Sequence, residues 1–262
     1  MNFGNFVWWV GKVVDNKDDK KLGRLKVRVY GYYQDDIPDD DLPWATVMSP
    51  IQSSSYDKIG HSPTGIQKGA TVVGFFFDGE LAQLPVIMGT LYGIGDKGHD
   101  VHPLAKGEGG HNKPSYASDA PTTKYAAKYP YNHVISGEGG VIIEMDNTPD
   151  AERYSIEHPK GTWMEIQPDG TLVQQASKDS YRVVNVNDYH FINGNAKIVI
   201  KGNVKIEVAG NVDTTVDGNM VTRVKGNHAL EIDGNNITRV KGNNTTTVTG
   251  NDKTTASRID LN

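Results

Sequence analysis

The pattern of apolar and polar positions changes its period along the chain. In the first third, short apolar runs alternate with polar and glycine-containing turns, and these runs cover residues 6–14, 25–33, 44–49, 70–77 and 84–91. Runs of this length, rich in β-branched and aromatic residues, predict β-strands rather than helices. Five or six strands within about 90 residues are typical of a small closed barrel.

From residue 194 the chain follows a repeat of eight residues, here called an octad. Glycine opens every octad and asparagine follows it. The glycines are Gly194, Gly202, Gly210, Gly218, Gly226, Gly234, Gly242 and Gly250. Six residues after each glycine stands a β-branched aliphatic residue, with Ala256 as the exception in the last octad. These aliphatic residues are Ile200, Val208, Val216, Val224, Ile232, Val240 and Val248.

The spacing within an octad predicts one short strand and one sharp corner. Position four of each octad, counted from its glycine, holds Ile, Leu or Thr, so positions four and six point to the same face of a strand. The Gly-Asn pair predicts the corner, because both residues tolerate a positive φ. An octad has no room for a helix, so the chain is predicted to be all-β.

A strand of about five residues cannot bury its own apolar face, so the octads must close around an axis. One chain could wrap three octads into each coil, or three chains could each contribute one face. Eight octads give fewer than three coils of the first kind, and no period of 24 residues distinguishes the octads. The pattern therefore favours a homotrimer whose chains intertwine as a triangular prism, with the aliphatic residues at position six as its core.

Two segments lie between the predicted barrel, residues 1–95, and the octads. Residues 96–133 are rich in glycine and proline and are interpreted as a linker. Residues 134–186 contain short strand-like runs separated by hairpin-type turns, which predicts a β-rich transition segment. Asn187 already occupies the asparagine column, so the octad region is predicted to cover residues 187–262.

Composition narrows the classes of function. The formal net charge of −5 argues against a protein that follows phosphate backbones. The chain has no cysteine, which excludes disulfides and thiolate metal sites. No apolar run approaches the roughly 20 residues that a membrane helix needs, and the first residues lack the basic and apolar regions of a secretory signal.

Three motifs with catalytic or ligand-binding spacing have simpler interpretations. Residues 93–98 have the glycine spacing of a dinucleotide-binding loop, but a Gly-rich segment follows instead of a helix. Residues 60–64 are close to a nucleophile elbow, but Thr64 stands where glycine is required. His99, His102 and His111 lack a regular element to fix a metal geometry. We therefore expect no catalytic residue, no bound cofactor and no metal.

The apolar pattern of the first third also carries motifs in a recognisable order. They are Gly11-Lys12-Val13-Val14, Leu22-Gly23-Arg24-Leu25, Leu42-Pro43-Trp44-Ala45, Gly69-Ala70-Thr71-Val72 and Leu84-Pro85-Val86-Ile87. This series resembles the OB-fold domain of central spike proteins in contractile phage tails and of VgrG proteins in type VI secretion. The stretch 136–153 is similar to the link that these families place before their β-helix.

The resemblance implies a structural spike in the virion tail baseplate that pierces the host envelope during contraction. It implies a hub protein bound to the barrel. It also implies a PAAR-like tip protein at the C-terminal end of the prism, because residues 258–262 show no cap of their own. Only residues 96–133 stand where the family's lysozyme domain would lie, which favours a spike without that domain. A VgrG-like spike, a muramidase, a single-strand nucleic-acid binder and a glycan-binding module are the alternatives.

Overall fold

The computed structural model describes residues 6–93, 101–108 and 120–259, and its first five strands form a closed barrel. The strand order around the barrel is β1-β2-β3-β5-β4, in which β3 and β5 are parallel. The prediction of a mainly β chain with a small closed barrel near its start is confirmed, and the prism of octads stays a prediction. The strands are β1 (Val7–Asp15), β2 (Leu25–Val29), β3 (Trp44–Val47), β4 (Thr71–Phe76) and β5 (Pro85–Leu91).

Alternating side chains of the five strands fill the barrel. Val13, Val29 and Ile87 are completely or almost completely buried, as expected for inward positions of a half-buried strand. Glycine is required where β4 crosses the core. A Cβ atom on Gly74 would lie 2.0 Å from the carbonyl oxygen of Val86 and would also overlap an indole ring.

Five further strands form an antiparallel meander, a sheet in which each strand pairs with the next. Tight turns join the strands, and Gly170 illustrates them: it has a φ of 82°, and its N–H donates to the carbonyl of Gln167 at 2.8 Å. The strands are β6 (Asn132–Ser136), β7 (Ile142–Asp146), β8 (Arg153–Glu157), β9 (Trp163–Ile166) and β10 (Leu172–Gln175).

The described part of the segment between barrel and meander packs on the meander. Leu104 is 5% exposed, and its carbonyl oxygen accepts a hydrogen bond from the Asn132 side chain at 3.0 Å. The Gln167 amide donates to the carbonyl of Thr122 at 2.7 Å. The segment proposed as a linker therefore contributes to the core of the second sheet. The short 3₁₀ helices of the described residues are Asp39–Asp41, Gly79–Leu81 and Pro103–Lys106.

After β10 the described chain is extended and forms no strand pairing within itself. Bends interrupt it in pairs of residues that recur every eight residues, from 177–178 to 249–250. The protein divides into two compact units, residues 1–188 and 189–262. Within the described residues, no helix has both the length and the apolar character needed to cross a membrane.

Candidate functional site

The predicted core column is the least exposed apolar row of the octads, yet about half of each side chain remains uncovered within a single chain. Its members Val208, Val224 and Val240 are 52%, 49% and 49% exposed. Position four is more exposed still, with Ile198 at 84% and Ile206 at 82%. An apolar row of this length does not stay in water when a partner can cover it. The column thus lacks cover within its own chain, and its assignment as a prism core remains a prediction.

The corner glycines lie where the sequence predicted corners, but the predicted reason is wrong. Each of the eight glycines is the second residue of a bend pair. None of them has a φ between +20° and +160°, so left-handed backbone does not explain the choice of glycine. A Cβ atom on any of them would meet nothing within 4 Å inside the chain. Nothing within a single chain therefore requires glycine at these corners.

The octad geometry begins further upstream than the glycine pattern indicated. Bends at 177–178 and 185–186 keep the same eight-residue register, although Lys178 and Val186 occupy the glycine position. Val184, six residues after the first of these bends, is 45% exposed, within the range of the core column. The sequence prediction missed the octad that begins at Lys178 because it located octads by their glycine. The aliphatic residue at position six would have revealed this octad, because Val184 continues that column.

Aromatic side chains cover one outer face of the barrel. Phe6 stacks on Phe75 with ring centroids 4.9 Å apart, and Trp8 meets Phe6 edge-on at 4.9 Å. Phe6 and Trp8 remain 59% and 55% exposed. Exposed aromatic clusters of this kind are typical of protein interfaces. Residues 1–95 carry more acidic than basic side chains, which disfavours base stacking along a nucleic acid.

The acidic loop of residues 35–41 is held in place by one arginine. The Arg28 guanidinium donates to the carbonyl oxygens of Gln34 and Ile37, both at 2.7 Å, and pairs with the Asp39 carboxylate at 2.6 Å. Asp35, Asp36, Asp40 and Asp41 remain at the surface around this anchor. The arrangement presents a fixed negative patch, which can attract a positively charged protein surface.

The meander contains a buried group of three charged residues. Arg153 on β8 pairs with Glu144 at 2.9 Å and with Glu165 at 3.0 Å, and all three side chains are at most 1% exposed. Tyr125 covers the guanidinium, with the Arg153 Cζ atom 5.1 Å from its ring centroid. Burial raises the pKa of Tyr125, and the Glu144 charge adds to the rise. The group is enclosed by the protein, so its role is structural.

The residues considered for catalysis or metal binding do not form a chemical site in the described structure. The His102 imidazole accepts from the Leu104 N–H at 3.3 Å, and Ser62 shares a hydrogen bond with Thr64 at 2.7 Å. No group of three or more potential metal ligands occurs among the described residues. His99, His111, residues 94–98 and the tip positions 260–262 lie outside the described residues.

A comparison with known protein families identifies the first part of the chain. The family model described as the Gp5 N-terminal OB domain matches residues 28–179, which is more than half of the chain. The chain belongs to the Gp5 OB-domain family. The matched region contains the end of β2, the strands β3, β4 and β5, and the whole meander, so the Gp5 family model includes the second sheet as well as most of the barrel.

Two phage proteins named Gp5 are similar to this chain, the first over a longer stretch than the second. Protein Gp5 of Vibrio phage KVP40 is 31% identical over 259 residues, covering 71% of this chain and 61% of the relative. The pre-baseplate central spike protein Gp5 of Enterobacteria phage T4 is 40% identical over 102 residues, covering 36% of this chain and 18% of the relative. The chain thus spans less than two thirds of the length of either relative.

Proposed function

We propose that this protein is the structural central spike of a phage tail baseplate and that it pierces the host envelope during contraction. The observation that carries the proposal is the union of a Gp5 OB-type barrel with an unbroken octad repeat in one chain. The T4 relative is named a pre-baseplate central spike protein. Both relatives come from phages, which favours a virion baseplate over a VgrG-like secretion spike.

The spike is a homotrimer whose octads intertwine as a triangular prism. Three features support this arrangement: the half-exposed core column, the absence of strand pairing in the described part of 176–259, and corner glycines that nothing in their own chain crowds. Three chains would cover the column, pair the strands and occupy the space beside the corners. Eight octads at one strand spacing of about 4.8 Å each give a shaft on the order of 40 Å long.

The proposed partners follow from the surfaces of the barrel and from the last octads. The aromatic face of the barrel and the acidic loop 35–41 form the surface that meets the baseplate hub protein. The last strands of any prism leave backbone N–H and C=O groups unpaired, and such edges need a cover. A PAAR-like tip protein at the C-terminal end provides that cover in this proposal.

The spike acts mechanically and not as an enzyme. A rigid shaft concentrates force on a small area, which requires stiffness and slow unfolding rather than a reactive group. The buried Arg153 group and the hydrogen-bonded His102 are both engaged structurally. The names of the two relatives describe no reaction.

A matched pair of variants tests the trimeric shaft. Val224→Asp places three carboxylates in the apolar column, each costing several kcal/mol unless it is neutralised. Ile237→Asp places the same charge at position three of the octad after Gly234, which has the opposite parity and is 79% exposed. Light scattering should show a trimer for wild type and Ile237→Asp, with much lower thermal stability for Val224→Asp. A monomeric wild type, or equal melting of all three, contradicts the shaft.

A further inference from the structure

Over four consecutive octads, charged residues at positions five and seven alternate in sign from one octad to the next. Position five has the opposite parity to the core column, so it points away from the axis of the proposed prism. Position seven is the first residue of each corner and is exposed there. Their charges are negative after Gly210, positive after Gly218, negative after Gly226 and positive after Gly234. The residues are Asp217, then Arg223 and Lys225, then Glu231 and Asp233, then Arg239 and Lys241.

These side chains form no ion pair within the part of their own chain that the structure describes. All seven residues are exposed. The ion pair at Lys205 and Glu207, 2.6 Å long, joins two residues of one octad instead. The change in the sign of the charge from one octad to the next therefore forms no attractive contact within a single chain. Such contacts must involve other chains.

The threefold symmetry of the proposed prism determines which residues become neighbours. Each octad carries its chain from one face to the next and up by one strand. The strand above it on the same face is then the following octad of another chain, in parallel and in register. Equal positions of consecutive octads therefore stack about 4.8 Å apart, close enough for cross-strand charge pairs.

We infer that this alternation is an interchain charge ladder that sets the register of the three chains, a conclusion that rests on the proposed function. The partner surface is a second copy of this chain, displaced by one octad. Each face then holds five neighbouring pairs of opposite charge. They are Asp217 with Lys225, Lys225 with Asp233, Asp233 with Lys241, Arg223 with Glu231, and Glu231 with Arg239.

The apolar column cannot set the register by itself. Valine or isoleucine occupies position six in seven consecutive octads, so a chain displaced by one octad presents nearly the same core. The same displacement brings rows of like charge together, because the signs alternate from one octad to the next. Repulsion between such rows disfavours the slipped trimer, in the way that charges specify pairing in other repetitive assemblies.

The octad after Gly242 allows a test without disturbing the ladder. Its positions five and seven hold Thr247 and Thr249, which are exposed and lie next to the row of Arg239 and Lys241. Thr247→Glu with Thr249→Glu adds a matching row of opposite charge. Thr247→Lys with Thr249→Lys adds an equal charge of the wrong sign at the same two positions.

The measurement is the half-life of the full-length trimer in denaturant, followed by light scattering. The glutamate variant should dissociate about tenfold more slowly than wild type and the lysine variant about tenfold faster, since six new pairs form or clash per trimer. The difference should shrink in 1 M salt, where the Debye length is only about 3 Å. If both variants of a trimeric wild type dissociate alike, the ladder is wrong and the spike proposal stands. If wild type is monomeric, both are wrong.

Discussion

Replacing Arg153 by methionine should destabilise the meander strongly, because it leaves two buried carboxylates without their cation. The guanidinium is completely buried and spans Glu144 and Glu165 at 2.9 and 3.0 Å. Removing one partner of a buried ion pair costs about 3–5 kcal/mol. Asn132 and Thr123 still donate to the two carboxylates, so we expect a loss near the lower end, about 3 kcal/mol.

Hydrogen exchange, measured on peptides that cover residues 142–166, reports the loss in the free energy of local opening in this part of the meander. Each 1.4 kcal/mol of opening free energy changes the exchange rate about tenfold, so exchange through local opening should accelerate by about two orders of magnitude. Local exchange is preferable to a global melt, since an intertwined trimer of the kind proposed above would unfold too slowly to reach equilibrium.

Two further variants separate charge burial from the loss of an arginine as such. Arg182→Met removes an ion pair with Asp188 in which the two side chains are 62% and 37% exposed, so its effect should stay below about 1 kcal/mol. Adding Glu144→Gln and Glu165→Gln to Arg153→Met removes the unpaired charges and should restore most of the protection. If Arg153→Met exchanges within about threefold of wild type, the reasoning about buried charge is refuted.

Three more predictions concern the barrel and the absence of chemistry. Gly74→Ala should lower the melting temperature of the barrel far more than Gly89→Ala, because the new Cβ would overlap the Val86 carbonyl while Gly89 has open space; equal melting would contradict the packing. Burial raises the pKa of Tyr33 to about 12, so the unfolded chain loses this proton first and stability should fall between pH 10 and 12. Tyr33→Phe loses the hydrogen bond to the Ala82 carbonyl, which lowers the free energy of unfolding by about 1 kcal/mol at pH 7. In chemical unfolding, the stability of this variant should fall less between pH 10 and 12 than that of wild type. An unchanged fall in stability would assign the effect to other groups. Purified protein should leave peptidoglycan intact in a turbidity assay, and clearing that persists through repurification would overturn the mechanical function.

The barrel was predictable because its strands bury alternate residues against one core. The predicted run 84–91 and the observed Pro85–Leu91 differ by one residue. The predicted run 25–33 extended beyond Leu25–Val29 because Tyr32 and Tyr33 lie in a turn after the strand. Tyr33 still points into the core, so its apolar character was recognised correctly while its backbone conformation was not.

The charged group in the meander could not be predicted from local patterns. Glu144, Arg153 and Glu165 lie on three neighbouring strands and meet only through strand pairing, with Glu144 opposite Ser155 and Asp146 opposite Arg153. On the sequence each looks like the polar residue of a half-exposed strand. Their burial follows from residues 101–108 and 120–131 covering the sheet. Gly- and Pro-rich composition gave no sign of that cover.

The eight-residue bend register has a consequence at the level of the gene. Duplicating or deleting 24 nucleotides adds or removes one complete octad and keeps the aliphatic residues in one column, so the proposed prism can vary in length while its cross-section stays constant. A change that is not a multiple of eight codons moves the aliphatic column off its face. The proposed charge ladder adds a stricter rule for the stretch between Asp217 and Lys241. There, only pairs of octads can be gained or lost without placing like charges side by side in the proposed prism.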